Sequence, residues 1–142
     1  MLNPGVSIIV LLADIQMDYT LTINRDLTML AVPSSIITSE GDTRHFYVEG
    51  DSVTLTFSNV TLDGAGAGGG ITSEATLLTL EDAVIKYCES KAHGGAVGST
   101  GDLIINGGEL RNNVAAGSGG AIYCSGTVTV NDAVIQSNTA GN

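Results

Sequence analysis

The stretch GGAVGSTGDLIINGGELRNNVAAGSGGAIYCSGTVTVNDAVIQSN, residues 94–138, decides the fold of this 142-residue chain. Its first four residues, Gly94-Gly95-Ala96-Val97, have a counterpart later in the stretch, Gly119-Gly120-Ala121-Ile122. Another glycine pair followed by an apolar residue, Gly69-Gly70-Ile71, lies the same interval before the first. The chain is therefore built from repeats of about 25 residues.

Two further series of residues share this period. Apolar residues recur at nearly the same interval in two columns: Leu55, Leu78, Leu103 and Val128, and Phe57, Leu80, Ile105 and Val130. A second motif, an apolar residue with a small or polar one three positions later, recurs without drift: Val60 with Asp63, Ile85 with Cys88, Leu110 with Asn113, and Ile135 with Asn138. Three series with one period predict that equivalent residues lie at the same corner of successive repeats.

The segments between clusters of Gly, Asn, Asp and Ser are short apolar alternations. Thr127-Val128-Thr129-Val130 is an example, and this pattern is typical of β-strands rather than of a capped amphipathic helix. A repeat of about three short strands buries its apolar side only by stacking on its neighbours, with equivalent side chains about 4.8 Å apart. The sequence therefore predicts an all-β fold, a single-stranded parallel β-helix (β-solenoid) of about five rungs.

The second motif predicts a ladder of side chains at one corner of the solenoid. We expect Asn113 directly over Asn138, with each amide bonding to the next and to the turn backbone. Cys88 and Asp63 occupy the same slot in earlier repeats. The alternative, two unrelated turn asparagines, is disfavoured by the matching apolar residue three positions before each.

The repeats resemble those of a known family. The tetrads at 94–97 and 119–122, alternating with apolar-x-x-Asn at 110–113 and 135–138, resemble the repeats of polymorphic outer-membrane proteins and similar bacterial surface adhesins. The family commonly has Phe at the start of the second motif, where this chain has Ile or Leu. The resemblance implies a right-handed coil and export to a cell surface, as in an autotransporter passenger.

The chain is interpreted as one β-helix domain, residues 1–142. Residues 68–142 form regular glycine-rich rungs, and residues 1–67 form irregular N-terminal rungs with longer turns. The gap from Leu21 to Leu55 is longer than one repeat and predicts an insertion around Ser39 to Arg44. Because the repeat stops in mid-pattern, we expect a fragment of a longer solenoid, with a tendency to end-to-end self-association.

Charge and hydropathy limit the partners. The chain has a net charge of -10, which repels nucleic acid and anionic lipid surfaces. The apolar run Val6 to Ala13 lacks the preceding Lys or Arg and the cleavage site of a signal peptide, so we interpret it as a buried strand. No run reaches the roughly 18 to 20 apolar residues of a membrane span, and no membrane insertion by this segment is expected.

The sequence predicts no cofactor and no metal. Residues 64–69 match the G-x-G-x-x-G pattern, but the next residues lead into a strand rather than the helix that a dinucleotide site needs. His45 and His93 fall in different rungs, and the two cysteines lack zinc spacing.

Cys88 and Cys124 are expected to be free thiols. The interval between them in the sequence is not a multiple of the repeat. They therefore lie at different corners, in rungs about two apart, whereas a disulfide needs Cα atoms within about 7 Å.

A catalytic site is not expected either. Polysaccharide lyases and hydrolases on β-helices need carboxylates that converge on one face. Glu81 and Asp82 are adjacent in a strand and would point to opposite faces, while Lys86 and Arg111 stack in one slot. The alternative is a fragment of a carbohydrate-active β-helix enzyme whose catalytic rungs lie elsewhere. Ice binding is a third interpretation, but the Thr-x-Thr pattern at 54–56 and 127–129 is broken in the intermediate rungs.

The sequence favours a non-enzymatic, extracellular cell-surface adhesin or stalk segment that displays an extended binding face. The residues expected on that face are outward ones: Thr54, Thr56, Lys86, Arg111 and Tyr123. The expected partner is a surface protein or glycan of a host or neighbouring cell.

Overall fold

A computed structural model describes residues 7–142, and every regular element in that range is a β-strand. The described residues accordingly contain no helix long and apolar enough to cross a membrane. The strands are β1 (Ser7–Leu11), β2 (Ile15–Met17), β3 (Leu21–Ile23), β4 (Leu27–Ser39), β5 (Phe46–Val48), β6 (Thr54–Asp63), β7 (Ile71–Ser73), β8 (Leu77–Glu81), β9 (Val84–Lys86), β10 (Glu89–Ser90), β11 (Val97–Ser99), β12 (Asp102–Asn106), β13 (Glu109–Arg111), β14 (Val114–Ala115), β15 (Ile122–Cys124), β16 (Val128–Asn131), β17 (Val134–Gln136) and β18 (Thr139–Ala140).

Every strand pairing in this range is parallel, and the pairs define three sheets. The five-stranded sheet has the order β15-β11-β7-β5-β3, so each rung contributes one strand to it. The three-stranded sheet is β10-β14-β18, and the ten-stranded sheet contains the remaining strands, with β4 and β6 each long enough to run around a corner. This is the predicted all-β parallel solenoid, with about five turns and a spacing of about 25 residues.

The two predicted apolar columns form the interior of the ten-stranded sheet. Leu55 pairs with Leu78, Leu78 with Leu103, and Leu103 with Val128. The second column pairs Phe57, Leu80, Ile105 and Val130 in the same way. The first three members of each column are at most 1 % exposed. Stacked burial of this kind is the main source of stability in a solenoid.

The apolar run near the start of the chain is a strand, but it is not buried as expected. Its described part contains β1, which pairs in parallel with β4. Ile8, Ile9 and Val10 are nevertheless exposed, because they lie in a strand of the first described rung rather than between two rungs. Val6, the first residue of the predicted strand, lies outside the described residues.

The second motif keeps its register only from residue 85 onward. Ile85 pairs with Leu110 and Leu110 with Ile135, as expected. In the preceding rung, however, Leu62 rather than Val60 lies against Ile85. The rung from Leu62 to Ile85 is two residues shorter than the regular repeat, and a slip of two residues leaves inward side chains facing inward. Because of this slip, the expected position of Asp63 over Cys88 is wrong.

The insertion in the N-terminal part also lies elsewhere than expected. Leu55 pairs with Leu27, whereas Leu21 pairs with Phe46 in the five-stranded sheet. The extra residues lie within β4, where the register with β6 shifts between Leu30 and Ser35. From Leu30 to Ser35 the chain advances five residues while β6 advances two, from Ser58 to Val60. This bulge-like irregularity takes up the extra residues before the next corner, so no insertion at Ser39 to Arg44 is needed.

Left-handed backbone residues make the corners. One column of corner residues has φ between 48° and 67° and comprises Asn59, Asp82, Gly107 and Asp132. A second, with φ between 52° and 55°, comprises Tyr87, Asn112 and Ser137. Asn, Asp and Gly tolerate this conformation best, which explains why Gly107 stands between two aspartates in one slot.

The amide ladder is present at the expected corner. Asn113 is fully buried, and its Nδ2 donates to Asn138 Oδ1 and to the Ile85 carbonyl, each at 3.0 Å. Its Oδ1 accepts from the Cys88 backbone N–H, also at 3.0 Å. One side chain therefore joins three successive rungs, and Cys88 takes part through its backbone.

Both cysteines are free, as predicted. Cys88 is 1 % exposed, and burial raises the pKa of its thiol to about 12. The thiolate needed for nucleophilic or redox chemistry is therefore disfavoured at Cys88, which packs as a small apolar residue.

Candidate functional site: a cleft beside the five-stranded sheet

A cleft lies on the outward face of the five-stranded sheet. Its volume is about 390 Å³, and we call it the Tyr123 cleft. Thr72, Gly98 and Tyr123 form its floor, because they are in register on β7, β11 and β15 and alternate with buried or partly buried residues of those strands. The cleft therefore runs across three rungs, along the solenoid axis.

Two walls flank this floor. One consists of the turn residues that follow the three strands: Glu74, Thr100 and Ser125. The other consists of the loop after β10, chiefly Lys91 and His93, together with Arg44 and Asp42 from an earlier rung. Lys91 forms an exposed ion pair with Asp42, and this contact joins the two loops of the second wall.

Arg44 holds the second wall in place. Its Nη2 donates to the carbonyl oxygens of Gly94 at 2.7 Å and His93 at 3.2 Å. Its Nη1 donates to the carbonyl oxygens of Gly95 at 3.0 Å and Gly69 at 3.1 Å, and its Nε donates to Thr72 Oγ1 at 3.2 Å. Burial lowers the pKa of Arg44 below its ordinary value, but a guanidinium stays charged at neutral pH. All its donor nitrogens are used on protein acceptors, so its role is to fix the loops.

A pair of stacked aromatic rings, His93 and Tyr123, lines the cleft at the β15 rung. The rings of His93 and Tyr123 stack with centroids 4.5 Å apart and an interplanar angle of 22°. His93 Nδ1 accepts a hydrogen bond of 2.9 Å from the Ser118 backbone N–H, which places the proton of the neutral imidazole on Nε2. Tyr123 remains 44 % exposed. A ligand in the cleft would thus meet an aromatic side chain whose position is fixed by stacking.

The side chains that line the cleft carry more negative than positive charge. Asp42, Glu74 and Glu89 contribute carboxylates, and the two cations, Arg44 and Lys91, already have partners. The Tyr47 hydroxyl donates to Glu74 Oε1 at 2.7 Å, and this hydrogen bond raises the pKa of Tyr47. A further carboxylate on a ligand would have to compete with Asp42 for Lys91.

The residues expected on one binding face are not brought together. Thr54 and Thr56 lie on the first half of β6, and the corner at Asn59 separates them from Lys86 and Arg111, which stack on β9 and β13. Tyr123 lies on the five-stranded sheet. Of the five residues, only Tyr123 lines the cleft.

Lys86 and Arg111 are occupied by contacts within the protein. Asp63 is the register partner of Lys86, and Lys86 Nζ lies 3.4 Å from Asp63 Oδ2. Arg111 Nε donates to Glu109 at 3.0 Å, and its Nη1 donates to the Tyr87 hydroxyl at 3.2 Å. These ion pairs and hydrogen bonds offset like-charge repulsion between the two stacked cations.

Sequence reasoning missed Arg44, His93 and Gly98 as parts of a site. The signal for Gly98 was present, since the triplets beginning at Ile71, Val97 and Ile122 share an apolar residue, a variable residue and a small one. The variable position is the outward one. No sequence pattern links Arg44 to carbonyl groups in rungs further along the chain.

The excluded cofactor and metal motifs have structural explanations. Residues 64–69 form a turn between β6 and β7, and a strand follows. A Cβ at Gly68 would lie 2.5 Å from the Gly41 carbonyl oxygen, so close packing of two turns explains that glycine. Within residues 7–142, no group of three or more His, Cys, Asp or Glu side chains is placed to hold a metal ion.

The fold and its registers define the class, a parallel β-solenoid repeat protein. A scan against protein-family models and searches of curated proteins and of solved structures each found no match to this chain.

Proposed function

We propose that this chain is a non-enzymatic binding segment of a cell-surface protein, in which stacked rungs act as a stalk and display a binding face. The partner is a surface protein or glycan of a host or neighbouring cell. The cell-surface location rests on the resemblance of residues 94–138 to adhesin repeats.

The observation that carries this proposal is the construction of the Tyr123 cleft. Its floor belongs to three hydrogen-bonded rungs, and its second wall is fixed by the hydrogen bonds of Arg44. A preformed concavity loses little conformational entropy when a ligand binds. Such a site suits recognition on a rigid scaffold.

The carboxylates of the cleft also favour binding over catalysis. Glu74 accepts a hydrogen bond from Tyr47, and Asp42 is held by Lys91, which lowers the pKa of that carboxyl. A general acid at neutral pH needs a raised carboxyl pKa. Glu89 is exposed. Two of the three carboxylates are thus engaged by protein partners, an arrangement that supports a binding role.

The test measures binding to cells and cleavage of polysaccharides with the same protein samples. Fluorescently labelled protein is titrated onto cells of several types, and bound protein is counted by flow cytometry. We expect saturable binding that Tyr123→Ala reduces and that Tyr19→Ala, which removes an exposed tyrosine outside the cleft, leaves unchanged.

The same protein is then incubated with neutral and acidic polysaccharides, and new reducing ends and unsaturated products are assayed. The proposal predicts none. Cleavage that depends on Glu74 or Glu89 would overturn the proposal in favour of a carbohydrate-active enzyme. If Tyr123→Ala and Tyr19→Ala bind cells equally well, the cleft is not the binding site.

A further inference from the structure

The outward column of the five-stranded sheet has the shape of a trough. Its residues, in register from rung to rung, are Thr22, Tyr47, Thr72, Gly98 and Tyr123. Tyr47 and Tyr123 are three strand spacings apart, about 14 Å along the axis. The two positions between them carry a small side chain or none, so this part of the column is low between two aromatic residues, of which Tyr123 lines the cleft.

Gly98 gives the trough its depth. A Cβ at this position would lie 3.4 Å from the His93 carbonyl oxygen and 3.7 Å from Arg44 Nη2, which is ordinary contact. The backbone of Gly98 has no positive φ, so the fold itself does not require glycine here. A longer side chain would fill the space between the floor and the Arg44 wall. The glycine thus keeps the middle of the cleft open.

The lining groups combine apolar surface with both donors and acceptors. Tyr123 and His93 provide aromatic surface and the Nε2–H donor, while Thr100 and Ser125 provide hydroxyl groups. Glu74 adds a carboxylate acceptor on the same wall as these hydroxyls. A sugar ring has an apolar C–H face and hydroxyl groups that both donate and accept. Its surface therefore complements this combination of groups.

The charge of the cleft selects among sugars. Arg44 donates all its N–H groups to protein acceptors, and Lys91 is paired with Asp42, so an acidic sugar would have to displace a protein carboxylate to reach the Lys91 ammonium. The carboxylates of Glu74 and Glu89 and the net charge of -10 repel uronate, sialate and sulfate groups.

We propose that the Tyr123 cleft binds an uncharged oligosaccharide whose chain runs parallel to the solenoid axis, with sugar rings over Gly98 and against Tyr123. This inference rests on the proposed binding function and names the ligand class of the same site. A linear glycan suits the site because successive sugar rings advance by a distance close to the rung spacing of about 4.8 Å.

Isothermal titration calorimetry with tetrasaccharides tests this assignment. The uncharged probes are cello-, manno- and chitotetraose in the N-acetylated form, and the acidic probe is tetragalacturonate, all at low ionic strength. We expect at least one uncharged probe to bind the whole chain with one site and the acidic probe not to bind. Binding of only the acidic probe, or of none, would overturn the proposal.

Two substitutions locate the site. Gly98→Leu fills the cleft and is expected to abolish binding, whereas Gly98→Ala, which the contacts above accommodate, controls for folding. Tyr123→Ala is expected to weaken binding about tenfold, the loss of one aromatic contact, and Tyr19→Ala to leave it unchanged. Melting curves verify that each variant is folded. Equal affinity of Gly98→Leu and Gly98→Ala would contradict the proposal.

Failure of the glycan assignment is distinguishable from failure of the proposed binding function. If cell binding depends on Tyr123 but no uncharged tetrasaccharide binds, the glycan assignment is wrong and the binding function stands. If neither cells nor sugars bind, the proposed function itself is wrong.

Discussion

Arg44 donates a hydrogen bond of 2.7 Å to the carbonyl oxygen of Gly94, which lies two rungs further along the chain. Carbonyl groups at the turn of a solenoid rung point away from the sheet ladder and need a partner when water is excluded. A single guanidinium supplies several such partners, because its five N–H groups spread in a plane. Arg44 therefore stabilises the fold and the wall of the cleft together.

Replacing Arg44 by lysine should cost much more stability than the same change at Arg111. Lysine keeps the charge but cannot reach carbonyls in several directions, so buried acceptors lose their donors. We expect Arg44→Lys to lower the free energy of unfolding by about 3 kcal/mol. Arg111 is partly exposed, so Arg111→Lys should cost much less stability. Urea denaturation of both variants measures this difference, and equal losses would contradict the role assigned to Arg44.

The apolar column makes a second prediction. Leu103 is fully buried between Leu78 and Val128, whereas its neighbour Ile104 is half-buried on the opposite face of β12. Leu103→Ala should destabilise the protein by about 2 to 5 kcal/mol because it leaves a cavity. Ile104→Ala should cost less than half as much. Thermal melting followed by circular dichroism compares them, and a larger effect at Ile104 would mean that the strand faces the other way.

A third prediction concerns the amide ladder. Asn113→Ala removes the acceptor of the Cys88 N–H and the donor to the Ile85 carbonyl in a buried corner. We expect a loss of about 2 to 4 kcal/mol. The matched control is Asn131→Ala, because Asn131 is exposed and donates to Asn106 in a second, outward ladder. Its loss should be below about 1 kcal/mol. If chemical denaturation shows equal losses in the free energy of unfolding for the two variants, the buried ladder contributes no more than the exposed one.

The pH dependence of stability should contain a contribution from His45. This side chain is fully buried, and burial lowers its pKa from 6.5 to about 4, while its Nδ1 accepts from the Gly70 N–H at 2.8 Å. Between these two pH values the unfolded chain binds a proton that the folded chain does not. Stability is therefore complete above about pH 6.5 and falls as the pH is lowered towards 4, by up to about 3 kcal/mol.

Denaturation of the native protein and of His45→Gln at a series of pH values isolates this contribution. The difference in the free energy of unfolding between the two proteins should change between pH 6.5 and 4 and stay constant above pH 6.5. If the substitution prevents folding, the His45 Cε1–H resonance of the native protein serves instead. Titration of that resonance near pH 6.5 in the folded state would contradict the prediction.

Much of the fold was predictable because parallel stacking repeats one environment in every rung. Leu55, Leu78 and Leu103 had to be alike since each lies on the next, and the period follows directly. The misplacement of Asp63 has the same origin, because a rung shortened by two residues keeps the alternation and hides the slip. The β-bulge in β4 interrupts the alternation, so the first rungs could not be aligned from sequence.

The cleft was much less predictable than the rungs. It depends on one arginine that reaches across three rungs and on the absence of a side chain at Gly98, and neither feature repeats. Tyr123 was a candidate for the outward face, but the sequence left the phase of its strand open; in the structure the side chain is 44 % exposed. Its partner His93 lies in a loop of the preceding rung, where no periodicity specifies its position.

The most direct test of the glycan-binding cleft is a map of the bound site in solution. Isotope-labelled protein is titrated with the uncharged tetrasaccharide that binds best, and backbone amide shifts are followed by NMR. We expect the largest changes at Thr72, Gly98 and Tyr123 and in the loop that carries His93. Changes concentrated at Lys86 and Arg111, or at Thr54 and Thr56, would place the ligand on another face and contradict this expectation.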